Sequence, residues 1–89
     1  MSLSMNWELH LTKKVRKAIR RFPLTDQKHI AKTMREMSLN PFLGDIEKIK
    51  GEENIWRRRV GAYRIFCEIV SQDRIIYVFR VERRTSSTY

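Results

Sequence analysis

Alternation is the dominant signal in the second half of the chain. From Ile55 to Val70, polar and apolar positions trade places on either side of Gly61-Ala62. This is the pattern of two strands joined by a two-residue loop, with a glycine where a type II′ turn needs one. Such a loop sets the register: Val60 faces Tyr63, Arg59 faces Arg64, Arg58 faces Ile65 and Arg57 faces Phe66. Successive side chains point to opposite sides of a sheet. One side therefore carries Arg57, Arg59, Arg64 and Phe66. The other carries Trp56, Val60, Tyr63, Ile65, Cys67 and Ile69, a core face interrupted by Arg58. Ser71-Gln72-Asp73-Arg74 marks a second turn. Ile75 to Val81 is apolar almost throughout, as in a central strand covered on both sides. Pairing across that turn sets Phe66 opposite Phe79 and Glu68 opposite Tyr77.

The first half changes period from two to 3.6. Asn6 to Leu11 alternates, so Trp7, Leu9 and Leu11 share a face and predict a first strand. Thr12 predicts a helix cap, since its hydroxyl can accept from free amides of the first turn. Val15, Ala18, Ile19 and Phe22 form one stripe, with Lys13, Lys14, Arg16, Lys17, Arg20 and Arg21 outside it. Pro23 ends this helix. Thr25, followed by Asp26, predicts the start of a second one. Its stripe is Ile30, Met34 and Met37, with Ala31 allowing close approach, and Asn40-Pro41 stops it near Leu39. Phe42 to Asn54 reads as a connection punctuated by Gly44 and Gly51, with Ile46 and Ile49 as anchors.

The order is strand, helix, helix, then three strands in a meander. It predicts a single α+β domain over residues 1–89. An antiparallel sheet combines the N-terminal strand with the meander, and both helices pack on one face. Met1-Ser2-Leu3-Ser4 reads as a cloning remnant ahead of a start at Met5 and stands outside the fold. The opposite face of the sheet is left to the arginines. Arg59 opposite Arg64 sets like charges against each other, which weakens a sheet, so an anion is expected there. Trp56 and Tyr63 are expected in the core. Arg58, Arg74 and Arg80 read as solvated side chains or as stems lying over the sheet edge. Phe66 fits either surface packing or stacking.

Charge sharpens this picture. The net charge of +9 and pI near 10.3 favour a polyanionic partner: nucleic acid, an anionic membrane surface or an acidic protein. From Ile55 onward there are eight Arg and no Lys, whereas Lys dominates before it. A guanidinium fork matches phosphate in two-point contacts, while Lys is a compact hydrated charge. The Arg-only half is the expected phosphate reader. A single cysteine, Cys67, excludes an intrachain disulfide and fits a reducing cytoplasm; within a strand pattern it reads as a small core residue. No apolar run approaches the roughly 20 residues that span a bilayer, and no secretory signal is visible.

The usual catalytic motifs are missing. His10 and His29 match no metal spacing and read as exposed, no phosphate-binding glycine loop or nucleophile elbow occurs, and Glu68 and Glu82 form no convincing carboxylate pair. No metal and no cofactor are expected. One reaction class tolerates this inventory. RNA carries its own nucleophile, the 2′-hydroxyl beside the scissile phosphate, and an arginine cluster can position it and stabilise the phosphorane.

Three segments, Asp45 to Gly51, Trp56 to Ile65 and Arg83-Arg84 with Tyr89, give the chain from Met5 onward a family resemblance. Together with Asn40-Pro41 after the second helix, they resemble the RelE/ParE superfamily of toxins from type II toxin–antitoxin modules; the Arg-Val-Gly-x-Tyr-Arg hairpin is the most specific element. The RelE-like branch implies ribosome-dependent mRNA cleavage by 2′-hydroxyl attack, with mRNA, the ribosome and a small acidic antitoxin as partners. Under this resemblance Arg57 and Arg59 steady the phosphate and nucleophile, and Arg64 clamps the transition state. Arg84, with Arg83 one place away, meets the leaving group or a phosphate. Tyr89 stacks on a base or orients the 2′-hydroxyl. Phe66, Arg83, Lys48 and Lys50 complete the RNA-binding set. Arginine stands where the better-known members carry lysine before the turn, which leaves a general-base role there without a candidate. Two other readings stay open: a ParE-like inhibitor of DNA gyrase, and a non-catalytic RNA-binding module of the same fold.

Overall fold

Tyr63 to Val70 forms the middle strand of a five-stranded sheet in the computed structural model, which describes residues 6–84. The elements in chain order are β1 (Glu8–Leu11), α1 (Lys13–Arg20), α2 (Leu24–Leu39), β2 (Ile46–Lys48), β3 (Ile55–Val60), β4 (Tyr63–Val70) and β5 (Ile75–Arg83). The strand order is β1-β5-β4-β3-β2. The α+β architecture holds, with two refinements. β1 runs parallel to β5, pairing Leu9 with Ile76 and Leu11 with Val78, so the sheet is mixed rather than wholly antiparallel. The connection after α2 contributes an extra strand, β2, antiparallel to β3. Both outer strands are short, which limits the exposed edge.

The hairpin has the expected register, from Val60↔Tyr63 to Arg57↔Phe66. Gly61 supplies the positive φ, +56°, at the first loop position. The β4–β5 pairing departs from expectation at one point. Glu68 does face Tyr77, but a β-bulge follows, and Phe66 faces Arg80 instead of Phe79. The extra residue on β5 reverses its inside–outside parity. Ile76 and Val78 are buried before the bulge and Val81 after it, while Arg80 and Glu82 take the open side.

The core lies between the helices and one face of the sheet. Tyr63, Ile65, Cys67 and Ile69 of β4 are buried against Val15 of α1 and Ile30, Met34 and Met37 of α2. Thr12 caps α1 as expected, its Oγ1 accepting from Val15 N at 3.2 Å. α1 ends at Arg20, and α2 starts directly after Pro23, so Thr25 lies inside the first turn instead of capping it. Gln27 donates its side-chain amide to the carbonyls of Phe22 (2.9 Å) and Arg20 (3.4 Å), covering the open end of α1. Ala31 is exposed; Thr33 is the small residue that α2 buries. His10 and His29 are exposed, as expected.

Arg58, expected to be solvated, is 9% exposed. It reaches under the loop after α2, where Nη1 donates to the Leu43 carbonyl at 3.0 Å and Nη2 lies 3.5 Å from Glu36 Oε1. This arrangement needs Gly44. A Cβ there would fall 2.6 Å from Arg58 Cζ, on a backbone with φ +93°. Beside it, Phe42 meets Trp7 and Trp56 edge to face, at 5.9 and 5.3 Å between ring centroids. Among the described residues no helix is long and apolar enough to cross a membrane.

Two outcomes follow from this packing. Gly44→Ala strains the backbone and displaces the Arg58 guanidinium, so urea denaturation should read a loss of about 1–3 kcal/mol. Burial pushes the Cys67 thiol up from 9.0 to about 12, because the thiolate is disfavoured away from water. The unfolded chain thus releases this proton first as pH rises. The contribution is intact below pH 9.0 and is lost progressively toward about 12. Cys67→Ala should flatten the alkaline decline in unfolding free energy across that interval; an unchanged slope would refute the assignment.

Candidate nucleic-acid interface

Strand pairing arranges the open face of the sheet in cross rows. Nearest the hairpin turn, Arg59, Arg64 and Glu82 lie side by side on β3, β4 and β5. The next row is Glu47, Arg57, Phe66 and Arg80, on β2 through β5. A third is Ile55, Glu68, Tyr77 and His10, reaching β1. Rows stand two residues apart along β3 and β4, about 6.6 Å, and three apart on β5 where the bulge intervenes between Tyr77 and Arg80. Arg57, Arg59, Arg64 and Phe66 are therefore brought together, as expected from alternation alone.

The cluster carries its own counter-ions. Arg57 Nη2 pairs with Glu47 Oε1. Glu82 bridges two guanidiniums, with Oε1 2.7 Å from Arg80 Nη2 and Oε2 3.6 Å from Arg64 Nη1. Arg80 Cζ also sits 5.5 Å from the centre of the Phe66 ring, within cation–π range. The Arg57 and Arg64 side chains are 24% and 30% exposed, and the Nε of each is buried with no hydrogen-bond partner. The donors left for an outside ligand are therefore the terminal N–H groups that each single carboxylate contact does not use. Arg59 is exposed. In the third row the His10 and Tyr77 rings stack at 5.6 Å and 23°.

The other nominated residues fall differently. Arg84 lies beside the turn, its backbone amide donating to the Ala62 carbonyl at 2.6 Å, and its side chain is exposed. Arg83, opposite Tyr63, belongs to the helix side; its Cζ lies 5.9 Å from the Tyr63 ring, away from the arginine rows. Lys48 has the parity of Trp56, opposite to Glu47, and Lys50 lies just past the outer strand, in a segment shared with Glu52 and Glu53. The structure brings neither lysine into the cluster. Tyr89 lies outside the described residues.

Sequence reasoning missed the roles of Glu47, Glu82 and Arg80 on this face. Glu47 became visible only with β2, and the other two only with the bulge. Tyr63 fixes the cluster from below. Its hydroxyl donates to Asp26 Oδ2 at 2.7 Å, and its ring packs on Phe22 at 4.6 Å. Burial, then the hydrogen bond to Asp26 and the charge of Asp26, push its phenol above the ordinary tyrosine value, against the pull of Arg83. The residue before Arg64 is thereby bolted to α2.

Comparison with known proteins agrees with this architecture. Residues 9–87 match the family described as ParE toxin of type II toxin-antitoxin system, parDE. A relative from Methanocaldococcus jannaschii named RelE1 is 28% identical over 85 residues, covering 92% of each chain. Among solved structures, a chain of the RelB–RelE antitoxin–toxin complex from Methanococcus jannaschii is 35% identical with a TM-score of 0.68, over 84% of this chain and 89% of that one. A chain of the archaeal RelE–RelB complex from Pyrococcus horikoshii shares the fold at TM-score 0.82 and 20% identity, over 93% and 100%. The chain belongs to the ParE toxin family of type II toxin–antitoxin systems, within the RelE/ParE superfamily.

Half-exposed ion pairs contribute little to folding. Arg59→Ala and Arg64→Ala, made singly, should each shift unfolding free energy by no more than about 0.5 kcal/mol. A loss above about 2 kcal/mol in thermal or urea melts would assign the arginine face to stability instead of binding.

Proposed function

We propose that this toxin is a ribosome-dependent mRNA endoribonuclease that cleaves by attack of the RNA's own 2′-hydroxyl. The observation that carries this reading is the convergence of Arg57, Arg59 and Arg64 in adjacent rows on the uncovered face, with one terminal nitrogen of Arg57 and one of Arg64 held by a carboxylate. In the proposed reaction the 2′-oxygen bonds to the adjacent phosphorus and the bond from phosphorus to the 5′-oxygen breaks. The departing 5′-oxygen takes a proton from water, so the products are a 2′,3′-cyclic phosphate and a 5′-hydroxyl. Arg57 and Arg64 hold the non-bridging oxygens, where charge grows in the phosphorane. Arg59 extends the phosphate contact, and Arg84, beside the turn, stabilises the leaving oxygen. Glu47, paired with Arg57, is the carboxylate best situated to accept the 2′-hydroxyl proton; no arginine can serve that role well. Phe66, under Arg80, offers a ring for a base. Tyr89 keeps the role implied by the resemblance, stacking on a base or orienting the nucleophile.

Several groups stabilise charge here and a single carboxylate handles the proton, so positioning carries most of the catalysis. This supports dependence on the ribosome to present the mRNA. The cognate partner is a small acidic antitoxin, supported by the relatives solved with RelB and by the net charge of +9. The proposed site of action is the cytoplasm, where ribosomes and mRNA meet. A ParE-like action on DNA gyrase is favoured by one observation, the description of the matching family. Arrest with induction of a DNA-damage response and intact transcripts would select it.

Primer extension on ribosome-bound mRNA tests the main reading. Wild type should produce discrete stops, and Arg64→Ala should lower their rate about 10²–10³-fold, the usual consequence of removing one donor to a developing oxyanion. Equal cleavage by the variant would refute the role of Arg64. Intact mRNA in arrested cells would refute the activity.

A further inference from the structure

Glu82 combines features that neither the fold nor the proposed reaction requires. Its carboxylate stands on the open face directly across from Arg64, with one oxygen toward Arg64 and the other toward Arg80. A carboxylate and a phosphodiester are both monoanions with two equivalent oxygens, and both suit a guanidinium fork. We propose that Glu82 is a positioning residue that occupies the place of a substrate phosphate in the RNA-free protein. It holds Arg64 and Arg80 ready and must yield when RNA arrives. This inference rests on the reading of the arginine face as an RNA site.

The two contacts are unequal. Glu82 lies 2.7 Å from Arg80 but 3.6 Å from Arg64. Arg64 is the looser partner, and its release leaves the carboxylate still held by Arg80. Arg80 is itself steadied on the Phe66 ring. The exchange therefore need not disturb the strand pairing. Without RNA, Glu82 also offsets the repulsion between the facing Arg59 and Arg64. With RNA, each phosphate must compete with a built-in anion, so loosely presented strands gain little. RNA held in place by a larger scaffold meets the same competition but at a high effective concentration, which overcomes it. Glu82 thus sets a threshold that presented RNA passes and dilute free RNA does not.

Binding of a short, uncleavable 2′-O-methyl oligoribonucleotide, followed by fluorescence anisotropy, tests this. Glu82→Gln should bind about fivefold tighter than wild type, the size of one freed surface charge contact. Its affinity should also fall more steeply with salt, by about 0.7 in the log–log slope for one added phosphate contact on a single strand. Glu82→Asp should return both values toward wild type. Asp73→Asn, with the same charge change in the turn at the far end of β4, serves as the control and should shift affinity less than about twofold. Glu82→Ser replaces the Gln variant if circular dichroism shows the latter unfolded. A purely structural Glu82 would give weaker or unchanged binding and an unchanged slope, and that result overturns the proposal. Arg64→Ala separates the two levels. If it weakens binding while Glu82→Gln fails to tighten it, only the Glu82 assignment falls. If it leaves binding untouched, the RNA reading falls and takes the assignment with it.

Discussion

Strand β4 imposes the constraint that the rest of the molecule obeys. It is the third of five strands, and the helices cover only one of its faces. Tyr63, Ile65, Cys67 and Ile69 are buried, while Arg64, Phe66, Glu68 and Val70 between them are half-exposed. A register slip of one residue would exchange the two sets. It would bring Arg64 and Glu68 under the helices, at a desolvation cost of several kcal/mol for each unpaired ion. That penalty fixes how β4 meets β3 and β5. Through them it fixes which side of the sheet the arginines occupy.

The chain treats its guanidiniums in two ways. Arg58 lies on the core face and is enclosed, tied to the Leu43 carbonyl and Glu36, in space that Gly44 leaves open. There it ties β3 to the end of α2. Arg57 and Arg64 face the other way, half-exposed, each held by a carboxylate across the sheet. Pairs of this kind contribute at most about 1 kcal/mol, and they leave terminal N–H donors of each guanidinium unused. A surface that concentrates arginines and weakens its own pairing by like charge is the basis for the proposed anion site. Residues 9–87 match a toxin family, and the proposed anion is the phosphodiester of messenger RNA.

Rigidity links the two faces. The hydrogen bond from Tyr63 to Asp26 and the packing of Tyr63 on Phe22 anchor the residue beside Arg64 to α2 and to the turn before it. The β-bulge swings Arg80 and Glu82 onto the open side, where they join Phe66 and Arg64. A cluster held this way needs little reorganisation when charge develops on a phosphate, and preorganised donors are the most effective kind. The core thus acts on the proposed chemistry through backbone placement alone.

Local pattern determined a large part of this protein. Alternation and one glycine settle the β3–β4 hairpin, its register and the side taken by Arg57, Arg59, Arg64 and Phe66. Helical spacing finds both helices, and Thr12 marks the start of the first. These features were legible because they depend on neighbours a few residues apart. Tertiary structure decided the rest. The parallel seat of β1 beside β5 depends on where a chain returns after two helices. β2 forms because β3 offers an edge to the apolar anchor Ile46. The bulge opposite Phe66 and Cys67 reverses parity midway along β5, separating Arg83 from the cluster and admitting Arg80 and Glu82. Arg58 is buried because a distant carbonyl, a carboxylate and a glycine converge on it. In each case the deciding partner lies far away in sequence, and only the folded chain brings it within reach.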